Sequence, residues 1–124
     1  MPTGHCLCGN IRYAFDAPLR EPVICHCKQC RRQAGNGWAS VSVAEDALTI
    51  DGPVRWYRAS DAARRGFCGD CGSFLFWAGD GEGEIAVSMG SMDEPTGMMI
   101  SQHIFVADKG DCYHLNDGLP QRDQ

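Results

Sequence analysis

Three thiols fall within six residues in the stretch CHCKQC, as Cys25, Cys27 and Cys30, and two further pairs stand in CLCG (Cys6, Cys8) and CGDCG (Cys68, Cys71). Cysteine thiolates are zinc ligands, and zinc takes four ligands in a closed structural site but keeps one position exchangeable in a catalytic one. Spacings of this kind read as metal clips, and disulfides are rare where thiols are kept reduced. In both outer clips the last cysteine is followed by glycine, Gly9 and Gly72, which tolerates the positive φ of a turn wrapped around a metal. An extended C-x-C places both side chains on one face. Joining the two clips gives four thiolates, Cys6, Cys8, Cys68 and Cys71, around one Zn(2+) ion as a structural site. Closing segments about sixty residues apart, such a site contributes on the order of 10 kcal/mol to folding.

Cys25, Cys27, Cys30 and the isolated Cys112 remain. The trio can hold a second Zn(2+) with one position open, the arrangement of a labile catalytic site. Alternatively Cys112, or His114 two residues on, fills that position and closes the site. His26 projects away from the thiols if C-H-C is extended, which makes it a pocket residue or a surface one. His5 and His103 read as a loop and a strand residue. Lys28, Arg31 and Arg32 follow the cluster; together with His26 and Trp38 they form a candidate substrate rim, basic enough to attract an anion. A sulfur-ligated zinc is soft and favours an incoming thiolate. A carbonyl compound meeting that thiol would form or release a thiohemiacetal, with the metal as template and thiol activator. An anionic small thiol such as glutathione suits both the soft position and the basic rim.

The elements that must carry these residues are short strands. NIRYAF alternates, with Ile11, Tyr13 and Phe15 on one face, and WASVSV, SFLFW, IAVSMG and HIFV are further strand candidates. LTI and VRWYRA read as two strands joined across the turn DGP. CKQCRRQAG has room for one or two helical turns, stopped at Gly35. The predicted class is mainly β, with short antiparallel strands and little helix. One domain over residues 1–120 is expected, with a polar C-terminal tail, 121–124, that frays.

A net charge of −5 disfavours nucleic acid as a partner. No apolar run approaches a membrane span, and the first ten residues have no signal-peptide pattern, so the expected location is cytoplasmic. No G-x-S-x-G motif, phosphate loop or dinucleotide fingerprint is present. The oligomeric state is not legible.

Taken in order, GHCLCGNIRY, CHCKQCRRQAG, RRGFCGDCGSFLF, and then HIFVADKGD with DGLP, the chain resembles the glutathione-dependent formaldehyde-activating enzyme family. The resemblance implies a β-tent zinc-binding fold. It implies a structural zinc at Cys6, Cys8, Cys68 and Cys71, and a more labile zinc at Cys25, Cys27 and Cys30, where a glutathione sulfur replaces the zinc or binds near it. The implied activity is condensation of formaldehyde with glutathione to S-hydroxymethylglutathione, a carbon–sulfur lyase reaction. The alternative reading is a non-enzymatic zinc-binding β-tent module that binds a protein or a small ligand.

Overall fold

In a computed structural model, which describes all 124 residues, the chain forms ten strands in two sheets and one short helix. The small sheet has the order β1-β2-β5, with β1 at Thr3–His5, β2 at Arg12–Phe15 and β5 at Leu48–Asp51. The large sheet holds β3 (Val23–Cys25), β4 (Trp38–Ala44), β6 (Val54–Arg58), β7 (Ala63–Cys68), β8 (Phe74–Gly79), β9 (Glu84–Ser88) and β10 (Gln102–Ile104), in the order β10-β3-β4-β9-β8-β7-β6. The class is mainly β, as the alternating pattern predicts. No helix is long and apolar enough to cross a membrane.

Side-chain alternation decides what each face of the large sheet does. Val41 pairs with Val87 and Val43 with Ile85, while Phe76 pairs with Val87 and Ala78 with Ile85. These residues are buried together with Ile11, Tyr13 and Phe15 of the small sheet in one core, where the Tyr13 ring meets Phe76 edge-on at 5.6 Å. Burial of each such side chain contributes about 1.5–3 kcal/mol. The alternate residues, Ser40, Ser42, Ala86, Trp77 and Arg65, occupy the opposite face. A bulge interrupts the β7–β8 pairing: Gly66 faces Phe76, but Phe67 faces Phe74. The extra residue lets Leu75 and Phe76 both enter the core and turns Phe74 to the other face.

LTI and VRWYRA are two strands joined across the DGP turn, as their sequence predicts, and they pair with different partners, β5 with β2 and β6 with β7. The turn between them carries the chain from one sheet to the other. Gly52 sits in it at φ 118°, where a Cβ would strike the Asn10 carbonyl oxygen. The strands are not all antiparallel, since β10 lies parallel to β3. The C-terminal segment is held as far as Arg122. His103 donates its N–H to the Pro120 carbonyl, Arg122 to that of His103, and Val106 to that of Arg122, at 2.9 Å each. Backbone pairing holds a polar segment that composition alone marks as loose.

Candidate metal centre and active-site cavity

Two cysteine clusters are assembled, and each can hold a metal ion. In the first, the sulfurs of Cys6, Cys8, Cys68 and Cys71 lie within 4.8 Å of one another. The Cys6–Cys8 and Cys8–Cys68 separations are 3.6 and 3.7 Å. A tetrahedron of ligands at 2.3 Å from a zinc ion has sulfurs about 3.8 Å apart, so the spacing suits that ion. Each clip closes as a tight turn. Gly9 donates to the Cys6 carbonyl at 3.0 Å and Gly72 to that of Cys68 at 2.8 Å, with φ at 81° and 80°. The clips are tied to each other by Leu7 N–H to Ser73 Oγ (2.9 Å) and Asn10 Nδ2 to Asp70 Oδ2 (2.6 Å). In the metal-free chain the Ser73 hydroxyl and backbone N–H lower the Cys71 thiol to about 5.

The second cluster is Cys25, Cys27 and Cys30, also with sulfurs within 4.8 Å. Cys25 ends β3, and Cys27 is the N-cap of helix α1 (Lys28–Ala34). The Cys27 sulfur accepts the Cys30 backbone N–H at 3.3 Å. Capping of the helix thus curls Cys30 back toward Cys25 and Cys27. The helix ends at Gly35, φ 99°, whose N–H returns to the Arg31 carbonyl. No fourth cysteine, histidine or carboxylate joins the trio. Cys112 is exposed, with its sulfur 3.8 Å from Asn36 Oδ1, and neither it nor His114 is part of the cluster.

Beside the trio lies a cavity of about 340 Å³ on the face of the large sheet opposite the core, with all three cysteines in its wall. Trp38, Ala63, Trp77, Ala86, Ile104 and Phe105 supply hydrocarbon, and Gln29, Ser40, Ser60 and Arg65 supply polar groups. Trp38 stacks on Phe74 at 4.2 Å between centroids. Its indole N–H is the one buried side-chain donor without a hydrogen-bond partner.

Arg65 is the cation of this site. It is 5% exposed. Nη1 and Nη2 both stand 3.7 Å from the Cys30 sulfur, and Nη2 stands 4.0 Å from that of Cys27. Nε donates to Gln29 Oε1 at 3.1 Å, and the guanidinium lies over the Phe74 ring, 5.3 Å from its centroid. No carboxylate pairs with Arg65. A buried charge needs a counter-charge, and here only sulfur can provide it. The Cys30 thiol falls to about 6, first through its hydrogen bond with Cys25 and then, against burial, through Arg65. The hydrogen bond with Cys30, together with burial, pushes the Cys25 thiol far up. Three thiolates around a divalent cation carry a net charge near −1, which one buried guanidinium offsets.

The expected basic rim is not where the sequence puts it. Lys28 is exposed on α1, Arg31 donates to the Asp108 carbonyl at 3.1 Å, and Arg32 borders an adjoining groove with Tyr57 and Gln33 that shares Gln29 and Arg65 with the cavity wall. None of the three lines the cavity, because helical periodicity turns Cys30 inward and these side chains outward. His26 is no rim residue either. It does project away from the thiols, into a buried chain: Nδ1 to Tyr113 Oη at 2.6 Å, Nε2 to His103 Nδ1 at 2.9 Å, and His103 Nε2 to Asp117 Oδ2 at 2.8 Å. Burial first, then His103 and Lys109, holds the His26 imidazole below its usual value. Trp38 is in the cavity wall. Arg65 went unnoticed in the sequence, although RR inside a strand forces its two arginines to opposite faces, and one of those faces here is covered.

The profile of the family described as glutathione-dependent formaldehyde-activating enzyme matches residues 1–108. An uncharacterized lyase of Schizosaccharomyces pombe is 27% identical over 114 residues, covering 89% of this chain and 82% of its own. A protein of Halomonas elongata, provisionally named a glutathione-dependent formaldehyde-activating enzyme, is 31% identical over 83 residues, covering 59% of this chain and 53% of its own. A Rhodobacter sphaeroides protein of known crystal structure superposes with a TM-score of 0.67 at 17% identity, covering 97% of this chain and 98% of that one; this likeness concerns the fold.

Proposed function

Because the chain belongs to the glutathione-dependent formaldehyde-activating enzyme family, we propose that it is a carbon–sulfur lyase that makes and breaks a thiol–aldehyde adduct, with Cys25, Cys27 and Cys30 as its metal centre. The observation that carries this reading is a trio of thiols without a fourth protein ligand, opening into a 340 Å³ cavity. Zinc bound there would supply a soft acceptor position at which a thiol such as glutathione loses its proton. The chain's own residues do the rest. Arg65 offsets the excess negative charge of the thiolates. Helix α1 fixes Cys27 and Cys30 relative to one another through its cap, and the apolar walls keep water from the carbonyl carbon. The quartet Cys6, Cys8, Cys68 and Cys71 is the structural zinc site in this reading.

Cobalt substitution tests it. Two metal ions per chain are expected, and glutathione should shift the absorption of one of them. Cys27→Ser should abolish exchange between free and adduct thiol while the circular dichroism spectrum stays that of the folded protein. A cobalt spectrum indifferent to thiol, or unfolding on Cys27→Ser, would overturn the assignment.

A further inference from the structure

The cavity is built for more than a one-carbon substrate. A water-sized molecule occupies about 30 Å³, and formaldehyde is little larger, so 340 Å³ leaves room beyond a metal ion, the sulfur arm of a thiol and a one-carbon carbonyl. Trp38, Trp77, Ala63 and Ala86 wall that space with hydrocarbon. Its single charged residue, Arg65, is committed to the sulfurs of Cys27 and Cys30, so no free cation is left inside to receive the carboxylates of a peptidic thiol. Phe105 adds an independent sign. It is the one non-glycine residue at positive φ, 54°, a conformation that costs a side-chain-bearing residue energy. That backbone is fixed by the flanking hydrogen bonds of His103 and Val106 to the C-terminal segment. The result is a 38% exposed aromatic ring at the cavity wall.

We propose that this cavity receives an aromatic or branched hydrocarbon group carried by the carbonyl partner, so that the favoured adducts come from aryl-alkyl or branched aldehydes rather than from formaldehyde. The inference rests on the lyase reading for its chemistry. The thiol sulfur bonds to the carbonyl carbon, the carbonyl π pair moves to oxygen, and the thiol proton ends on that oxygen; the reverse step returns each. Nothing is oxidised or reduced. The thiol's polar arms stay at the cavity mouth, and the hydrocarbon lies against the wall to which Trp38, Trp77 and Phe105 contribute.

Two measurements on the full zinc-loaded chain test this. The first is the rate of adduct exchange, followed by NMR, with glutathione plus either formaldehyde or phenylacetaldehyde. The acceleration over the uncatalysed rate is expected to be at least tenfold larger for phenylacetaldehyde, and Ala86→Leu should collapse that ratio. The second is a tryptophan fluorescence titration with 2-phenylethanol, which cannot form an adduct. Saturable quenching is expected, weakened at least tenfold by Ala86→Leu. Equal acceleration, or a preference for formaldehyde, overturns the inference, as does the absence of saturable binding in the unaltered protein. Saturable 2-phenylethanol binding with no acceleration of either aldehyde would support the hydrocarbon site while removing the lyase reading, so the two failures are distinguishable.

Discussion

Replacing Arg65 by methionine removes the buried guanidinium while keeping a side chain of comparable length against Phe74. The three nitrogen–sulfur approaches are 3.7, 3.7 and 4.0 Å. A unit charge about 3.7 Å from a centre of net charge near −1 is worth at most about 4.5 kcal/mol at an effective dielectric constant of ~20. Hydrogen bonds to charged groups typically contribute ~1.5–3 kcal/mol. Taking about 2–3 kcal/mol as the net loss, and tenfold per ~1.4 kcal/mol, the trio should bind zinc roughly 30- to 150-fold more weakly. The assay is competition against a chromophoric chelator, with the quartet as an internal reference whose affinity stays put. A second arm needs no metal. With Arg65 present the Cys30 thiol is lowered to about 6; without the cation the thiolate is less favoured, so in an ultraviolet titration of the metal-free variant the step near 6 should move to higher pH, while the Cys71 step near 5 stays as the reference. Arg65→Lys should fall between, since an ammonium cannot reach both sulfurs as a fork. Trio affinity within threefold of the parent would refute the counter-charge argument.

Gly72→Ala should destabilise the protein by about 1–2 kcal/mol in urea unfolding, because φ is 80° there and open space surrounds the missing Cβ. The cause is then backbone strain and not a clash. Cys112→Ser should leave metal stoichiometry and both affinities unchanged, as measured by the same chelator competition. At the C-terminus, His103 and then the Leu119 N–H hold the Asp117 carboxyl below its ordinary 3.8. A depressed carboxyl stabilises above the unfolded value, and that contribution is lost as pH falls through the folded one. Hydrogen-exchange protection factors at the 119–122 segment should therefore fall on acidification below about pH 4 before those of the core, and Asp117→Asn should erase that pH dependence.

Much of this site could be read from residue spacing because local geometry decides it. Gly9 and Gly72 follow their cysteines for a backbone reason, and C-x-C and C-x-x-C bring sulfurs together within a turn. The strand pattern of Ile11, Tyr13 and Phe15 similarly follows from the two-residue period, and all three are buried. What escaped was decided by pairing over long distance. Arg65 becomes a ligand-facing cation only when β7 passes behind α1. His103 becomes buried only because β10 runs parallel to β3 and the C-terminal segment closes over it. The DGP turn is a turn either way, and only the partners of β5 and β6 reveal that it changes sheets. Lys28, Arg31 and Arg32 adjoin the cysteines in sequence, yet the helix that shapes the trio points them elsewhere.

The two clusters stand in different relations to the core, and this bears on how each could lose its metal. Cys6 and Cys68 are 0% and 2% exposed and belong to the same buried cluster as Phe15, Phe76 and Val87. Extracting an ion from the quartet leaves thiolates facing apolar side chains that pack both sheets together, so its binding free energy is coupled to folding of the whole. The trio lies on the far face of the large sheet, outside that cluster. Its ligands hang on β3 and on a two-turn helix whose cap bond, Cys30 N–H to Cys27 Sγ, does not require the metal. If the trio holds an ion as proposed, its loss would leave Cys30 beside Arg65 with the core contacts unchanged. A site that can exchange a ligand, or the ion itself, without unfolding its protein must be separated from the core in this way, and here the alternation of one sheet provides the separation.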